Sequence, residues 1–215
     1  MADLIVKTVL AYLLGNLMGG QVIGWLRGGV DLRTVGSGNI GATNALRTQG
    51  KGFALGVLAI DVLKGVIAAL LIPRLPSFGA LILETQTQAY ACAVAVVLGH
   101  CYPVFAGFRG GKGVATLAGV FGALLGAALP WMLLAFVLVV VLSGYVSLAT
   151  LAAAATALAW VAICATQQLL APTGIFVIAM AALVTWKHRE NIARLLRGNE
   201  HRFEKARVLG RWLQR

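Results

Sequence analysis

Between Gly99 and Thr116 the chain reads GHCYPVFAGFRGGKGVAT, with a histidine, an arginine and a lysine set among glycines, a proline and a hydroxyl. Strongly apolar segments flank it. Irregular backbone exposed to lipid leaves amides and carbonyls unpaired at roughly several kcal/mol each, so this stretch belongs at a water boundary or along a polar cavity. Its chemistry is that of an anion site. Gly110, Gly111 and Gly113 let the backbone approach a ligand and turn amides toward it, Lys112 adds charge, and the apolar run from Val114 predicts a helix starting there. Phosphate is the natural occupant. The nucleotide P-loop is excluded, because Gly113 stands where Ser or Thr must follow the lysine and Ala106 stands at the first glycine position. The competing reading is a basic turn between two membrane helices.

Two further stretches combine small polar groups with charge. In SGNIGATNALR, Ser37, Asn39, Thr43, Asn44 and Arg47 offer hydrogen-bonding groups and a planar guanidinium suited to phosphate oxygens. The same residues also read as a capped, turn-rich helix start. In the tail KHRENIARLLRGNEHRFEKARVLGRWLQR, His188 and Asn191 at i and i+3 share a helical face with Arg194 and Arg197. A basic helix on the membrane surface would look similar.

The elements that must carry these patches are membrane helices. The 215 residues are 60% hydrophobic and 12% charged, with mean hydropathy +0.87, which excludes an ordinary soluble domain. Unbroken Leu, Ala and Val runs predict helices rather than alternating barrel strands. The formal charge of +11 sits at the ends of apolar segments and in the tail, where headgroups and the positive-inside rule account for it, so no nucleic-acid partner is expected. Cys92, Cys101 and Cys164 have neither disulfide-framework nor zinc spacing, and the scarcity of acidic residues near the polar stretches disfavours a carboxylate magnesium site. No metal and no cofactor are expected.

In chain order, Leu4 to Trp25 predicts one retained crossing, not a signal peptide, with Lys7 near enough to its end to snorkel. The polar stretch Arg27 to Lys51 follows. Phe53 to Ile72 predicts a second crossing carrying Asp61 and Lys64 at i and i+3, read as a structural ion pair. Pro73 to Gly79 predicts a turn, and Leu83 to Leu98 a third crossing. From Gly113 to Trp186 there is no Asp, Glu, Lys or Arg. Breakers near Gly126 to Pro130, Ser143 to Ser147 and Thr166 to Gly174 cut that segment into four pieces, of which Trp131 to Leu142 is short for a full crossing. Lysines and arginines concentrate in the three polar stretches, so these face the cytoplasm and the Arg74 turn lies outside. The expectation is a single all-α, polytopic domain over 1–215 with seven crossings, five being the alternative, its N-terminus outside and its C-terminus, with a water-facing tail, inside.

SGNIGATNALR, GHCYPVFAGFRGGKGVAT and KHRENIARLLRGNEHRF, in this order and separated by apolar helices, resemble the three signature motifs of the bacterial acyl-phosphate-dependent glycerol-3-phosphate acyltransferases, the PlsY-type family. The resemblance covers essentially the whole chain. It implies transfer of a fatty acyl group from acyl phosphate to the 1-hydroxyl of sn-glycerol 3-phosphate, giving lysophosphatidic acid and phosphate at the cytoplasmic face of the bacterial inner membrane. It assigns catalysis and binding to Ser37, Arg47, Lys112, His188 and Asn191, makes Gly110, Gly111 and Gly113 a phosphate cradle, and leaves Glu200 structural. Asn39, Thr43 and Thr116 join the substrate-binding set from the same motifs.

These residues suit that chemistry. An acyl phosphate is a mixed anhydride with a good leaving group, so aligning the hydroxyl and stabilising oxyanion charge matter more than a strong nucleophile. No Gly-x-Ser-x-Gly elbow is present. His100, His188 and His201 are followed five positions later by Phe105, Ala193 and Ala206, so the His-x-x-x-x-Asp pattern of thioester-using acyltransferases is absent too. On this reading Arg47, Lys112 and Ser37 hold the glycerol phosphate with help from His188, while Asn191 and the loop amides serve the acyl phosphate. Either a substrate phosphate or His188 takes the hydroxyl proton. His100, next to Cys101 and Pro103, reads as a structural helix-end residue. The alternative function is a transporter of a phosphorylated metabolite, which predicts inverted repeats that the sequence does not display. A membrane scaffold would need only the charge.

Overall fold

The computed structural model describes residues 1–77, 83–204 and 206–212, without the side chains of residues 210 and 211. Every regular element among them is helical. Phe78 and Gly79 of the expected turn lie outside the described residues. The chain divides into two compact units, Met1–Leu125 and Gly126–Arg215.

In the first unit, α1 (Ala2–Asn16) and α2 (Gly19–Leu26) are followed by α3 (Ala42–Thr48), α4 (Lys51–Leu70), α5 (Thr85–Cys101) and α6 (Val114–Leu124). Packing is densest between α1 and α5 and between α4 and α6. Glycines make both approaches feasible. A Cβ on Gly15 would lie 2.3 Å from the Val96 carbonyl oxygen, and one on Gly99 2.1 Å from that of Tyr12. Gly65 and Gly119 meet Thr116 and Val62 oxygens in the same way, at 2.3 and 2.1 Å. Helices in lipid gain little from the hydrophobic effect between them, so backbone contact at small residues supplies the packing.

The expected single crossing from Leu4 to Trp25 is instead two helices bent by 45°. The break needs partners for backbone groups that a continuous helix would satisfy itself, and α4 provides them. Lys64 Nζ donates to the carbonyls of Gly15 (3.0 Å) and Leu17 (2.9 Å), at the end of α1. Asp61 Oδ1 accepts from the Gly19 amide (3.1 Å), at the start of α2. Cation at a helix C-terminus and anion at an N-terminus both match the helix dipoles. The two side chains also pair at 2.9 Å, both almost wholly buried, so the expected structural ion pair is present and staples the break. Lys7 does not snorkel. It is 1% exposed, paired with Asp3 at 3.1 Å and donating to Pro73 O and Gln88 Oε1, because partners from three segments enclose it.

The second unit holds α7 (Leu129–Ser143), α8 (Val146–Cys164), α9 (Pro172–Lys187), α10 (Arg189–Leu196) and α11 (Val208–Trp212). Helix α8 packs between α7 and α9. Exposed Trp131, Leu133, Leu134, Val137 and Leu138 make the outer side of α7 apolar, as lipid requires. Among the described residues three helices are long and apolar enough to cross a membrane: α4 with the short turn to Arg74, α5 with the turn to Ala106, and α8. Counted as one span, the bent α1–α2 pair makes a fourth, and α6, α7 and α9 are shorter apolar helices.

Candidate active site

The first polar stretch is a loop pinned from inside. Leu32 and Ile40 plug into a core with Met18, Phe53 and Val57. Between them Asn44, 2% exposed, donates through Nδ2 to the carbonyls of Leu32 (3.0 Å), Val35 (3.0 Å) and Asn39 (2.9 Å). Its Oδ1 accepts from the Ser37 amide at 2.9 Å. Asn44 is therefore the loop's internal fastener, not a ligand group. Asn39 Oδ1 accepts from the Gly41 amide at 2.9 Å and sets the turn into α3, while Thr43 is half-buried and Ser37 and Arg47 are exposed.

The second stretch leaves α5 at Cys101 and enters α6 at Val114, as its apolar run predicts. Gly107 and Phe108 both take left-handed backbone angles, φ +59° and +60°, and turn the chain before Arg109. Gly113, at φ +78° immediately before α6, needs the absence of a Cβ. The amides of Gly110 and Gly111 differ from expectation. They donate to the carbonyls of Cys101 (3.3 Å) and His100 (3.1 Å), because the last turn of α5 has orphan acceptors that the returning loop can satisfy. These two glycines act through missing side chains: a Cβ on Gly110 would lie 2.0 Å from His100 O, and one on Gly111 2.2 Å from His100 Nε2. Lys112 is half-buried between them and α6. Thr116 is fully buried, and its Oγ1 has no hydrogen-bond partner among the described residues.

The two stretches share an open cavity of about 370 Å³, lined by Arg33, Gly38 and Ile40 from one and Arg109 and Gly110 from the other. Arg33 is forked onto Asp31, with Nη2 to Oδ2 at 2.8 Å. Hydrogen bonds from Arg33 hold the Asp31 carboxyl below its ordinary pKa, so the pair is ionised. Sequence reasoning counted Arg33 and Arg109 only as charges of a cytoplasmic loop. For Arg109 the available signal is the run of basic residues among glycines in FRGGKG.

The third stretch lies in the second unit and is not water-facing throughout. His188 (3% exposed) and Asn191 (6%) are buried, at the junction of α9 and α10 and in the first turn of α10. His188 Nδ1 lies 2.8 Å from the Val184 carbonyl. A carbonyl only accepts, so Nδ1 carries the hydrogen of this contact. Glu200 closes the segment: Oε1 accepts from Asn191 Nδ2 (2.6 Å) and Ser147 Oγ (2.9 Å), and Oε2 from Arg194 Nε (2.7 Å). Burial raises the Glu200 pKa, but these hydrogen bonds together with the Arg194 charge outweigh it and leave the carboxyl below its ordinary value. The structural role expected of Glu200 fits this geometry.

The model of the glycerol-3-phosphate acyltransferase family matches residues 5–198. A glycerol-3-phosphate acyltransferase of Aquifex aeolicus (strain VF5) is 42% identical over 197 residues, 91% of this chain and 96% of that one. One from Rhodospirillum rubrum is 44% identical over 195 residues, 89% of this chain and 87% of the other. Two crystal structures of PlsY (YgiH), an integral membrane glycerol 3-phosphate acyltransferase, are similar across the fold. Its glycerol 3-phosphate form has a TM-score of 0.82 at 39% identity and its lysophosphatidic acid form 0.81 at 37%, each covering 96% of this chain and 98% of that one.

Proposed function

The chain belongs to the glycerol-3-phosphate acyltransferase family and is an integral membrane acyltransferase of phospholipid synthesis; from that premise we propose its donor, its reacting position and the residues that carry the reaction. The donor is an acyl phosphate and the acceptor the 1-hydroxyl of sn-glycerol 3-phosphate. The hydroxyl oxygen bonds to the acyl carbonyl carbon, the carbon–oxygen bond to phosphate breaks, and lysophosphatidic acid and inorganic phosphate leave. The hydroxyl proton passes to a phosphate oxygen. No covalent enzyme intermediate is needed, since phosphate is already a good leaving group.

Ser37, Arg47 and Lys112 bind the phosphate of glycerol 3-phosphate, with Asn39, Thr43 and Thr116 shaping that end. Two cations and a hydroxyl meet a dianion with charge-assisted bonds, of which the guanidinium's are bidentate. Gly110, Gly111 and Gly113 serve by letting the loop close on the end of α5, which aims Lys112 and leaves the first-turn amides of α6 for anionic oxygen. Asn191 acts on the acyl phosphate. His188 orients the hydroxyl. The whole chain works as one domain with seven crossings, the N-terminus outside, and the three polar stretches on the cytoplasmic face of the inner membrane. One observation carries this reading: the arginine-lined cavity between the first two stretches, in a chain that shares its fold with a protein solved in glycerol 3-phosphate and lysophosphatidic acid forms.

The test is kinetic. At saturating acyl phosphate, Lys112→Ala raises KM for glycerol 3-phosphate by about tenfold or more, the effect of losing one charged hydrogen bond. His188→Ala lowers kcat. Unchanged constants in both variants remove these residues from the site.

A further inference from the structure

His100 is buried in the first unit at 3% exposure, outside the residues assigned above to the substrates. Its ring lies between two things. On one side are the ionised groups of α4: Nδ1 is 2.8 Å from Lys64 Nζ and 3.4 Å from Asp61 Oδ1. On the other is the glycine loop. The three nearest atoms to a Cβ on Gly111 would all be His100 ring atoms, Nε2 at 2.2 Å and Cδ2 and Cε1 at 3.1 Å. The main chain repeats the contact, because the Gly111 amide donates to the His100 carbonyl at 3.1 Å.

Lys64 does not need the imidazole. An ammonium has three hydrogens, and Gly15 O, Leu17 O and Asp61 Oδ1 already offer three oxygens at 2.9 to 3.0 Å. The dependence runs the other way. Nδ1 faces Lys64 Nζ and Asp61 Oδ1, so the opposite edge of the ring, with Nε2, is the one turned toward Gly111. The buried pair thus fixes the place of the ring that the loop rests on.

We infer that His100 is a positioning residue for the acyl transfer: held by Lys64 and Asp61, its ring is the platform that sets the place of Gly111 and so of Lys112. This rests on the reading that Lys112 binds the phosphate of glycerol 3-phosphate. Without the ring the loop keeps its carbonyl contacts but gains room to shift, and small misplacements of a binding group are expensive in rate terms.

Gly111→Ala, His100→Ala and the double variant, assayed as purified protein in lipid, test it. His100→Ala raises KM for glycerol 3-phosphate by about fivefold or more, with kcat within about threefold and the thermal midpoint nearly unchanged. Gly111→Ala raises KM by about tenfold or more, since its Cβ meets the ring. In the double variant the obstruction is gone, and KM falls at least about threefold below that of Gly111→Ala alone. A double variant whose KM equals or exceeds the product of the single effects overturns the inference. So does a His100→Ala protein that loses thermal stability with KM unchanged. Lys112→Ala in the same assay separates the two claims: coupling between positions 100 and 111 with no KM effect at Lys112 sinks the phosphate role of Lys112, whereas a Lys112 effect without that coupling sinks the platform.

Discussion

At Asn44 one buried amide serves four backbone groups, and the first polar stretch keeps its shape through it. Asn44→Ala leaves three carbonyls and an amide without those partners. Each buried unpaired group costs about 1–3 kcal/mol, so the variant should unfold at markedly lower temperature, read by a thermal-shift assay in detergent, and lose activity with it. Glu200 gives a second expectation at this scale. Its carboxyl titrates below the ordinary range in the folded protein, so its contribution to stability is complete above the unfolded value and fades as pH falls through the folded one. Unfolding measured against pH should therefore show wild type more stable than Glu200→Gln at neutral pH, with the gap closing on acidification below about 4.5. The sequence marks Ser37, Arg47 and Lys112 as candidates by type and spacing. It did not separate Asn44, a fastener, from its neighbours, because which carbonyls an amide meets is decided by the loop's closure.

Among the elements, the staple on α4 was half legible. The i, i+3 spacing of Asp61 and Lys64 marked a pair, but their partners at Gly15, Leu17 and Gly19 lie more than forty residues away, and no proline marks the break between α1 and α2. The Leu4 to Trp25 run looks continuous because hydropathy is blind to backbone satisfaction. Removing one member of a buried pair strands the other, which costs about 3–5 kcal/mol. Lys64→Met should thus be strongly destabilised, and Asp61→Asn/Lys64→Met should lose less than the sum of the two single variants, measured as shifts in thermal midpoint. The crossings of α1 with α5 and α4 with α6 were not legible at all, since a glycine in an apolar run does not say which backbone it touches. Gly119→Ala forces its Cβ against the Val62 carbonyl, and overpacking of this kind costs about 1–3 kcal/mol. The buried settings of His188 and Asn191 were hidden for a related reason: a basic segment gives no sign that Glu200 folds back onto it.

Over the whole molecule, the features that the sequence displayed most openly were apolar content and charge asymmetry, and these place the chain in a membrane. The proposed orientation makes a single cysteine at position 74 accessible to an impermeant reagent from outside intact cells, and single cysteines at positions 47 and 109 accessible only after permeabilisation. The identity of the acyl donor distinguishes this enzyme from one that uses thioesters. Purified protein in liposomes, given labelled glycerol 3-phosphate with either an acyl phosphate or the matching acyl thioester, measures it directly. Labelled lysophosphatidic acid, with one inorganic phosphate released per acyl group transferred, is expected from the acyl phosphate alone. Product formed from the thioester but not from the acyl phosphate would contradict that expectation.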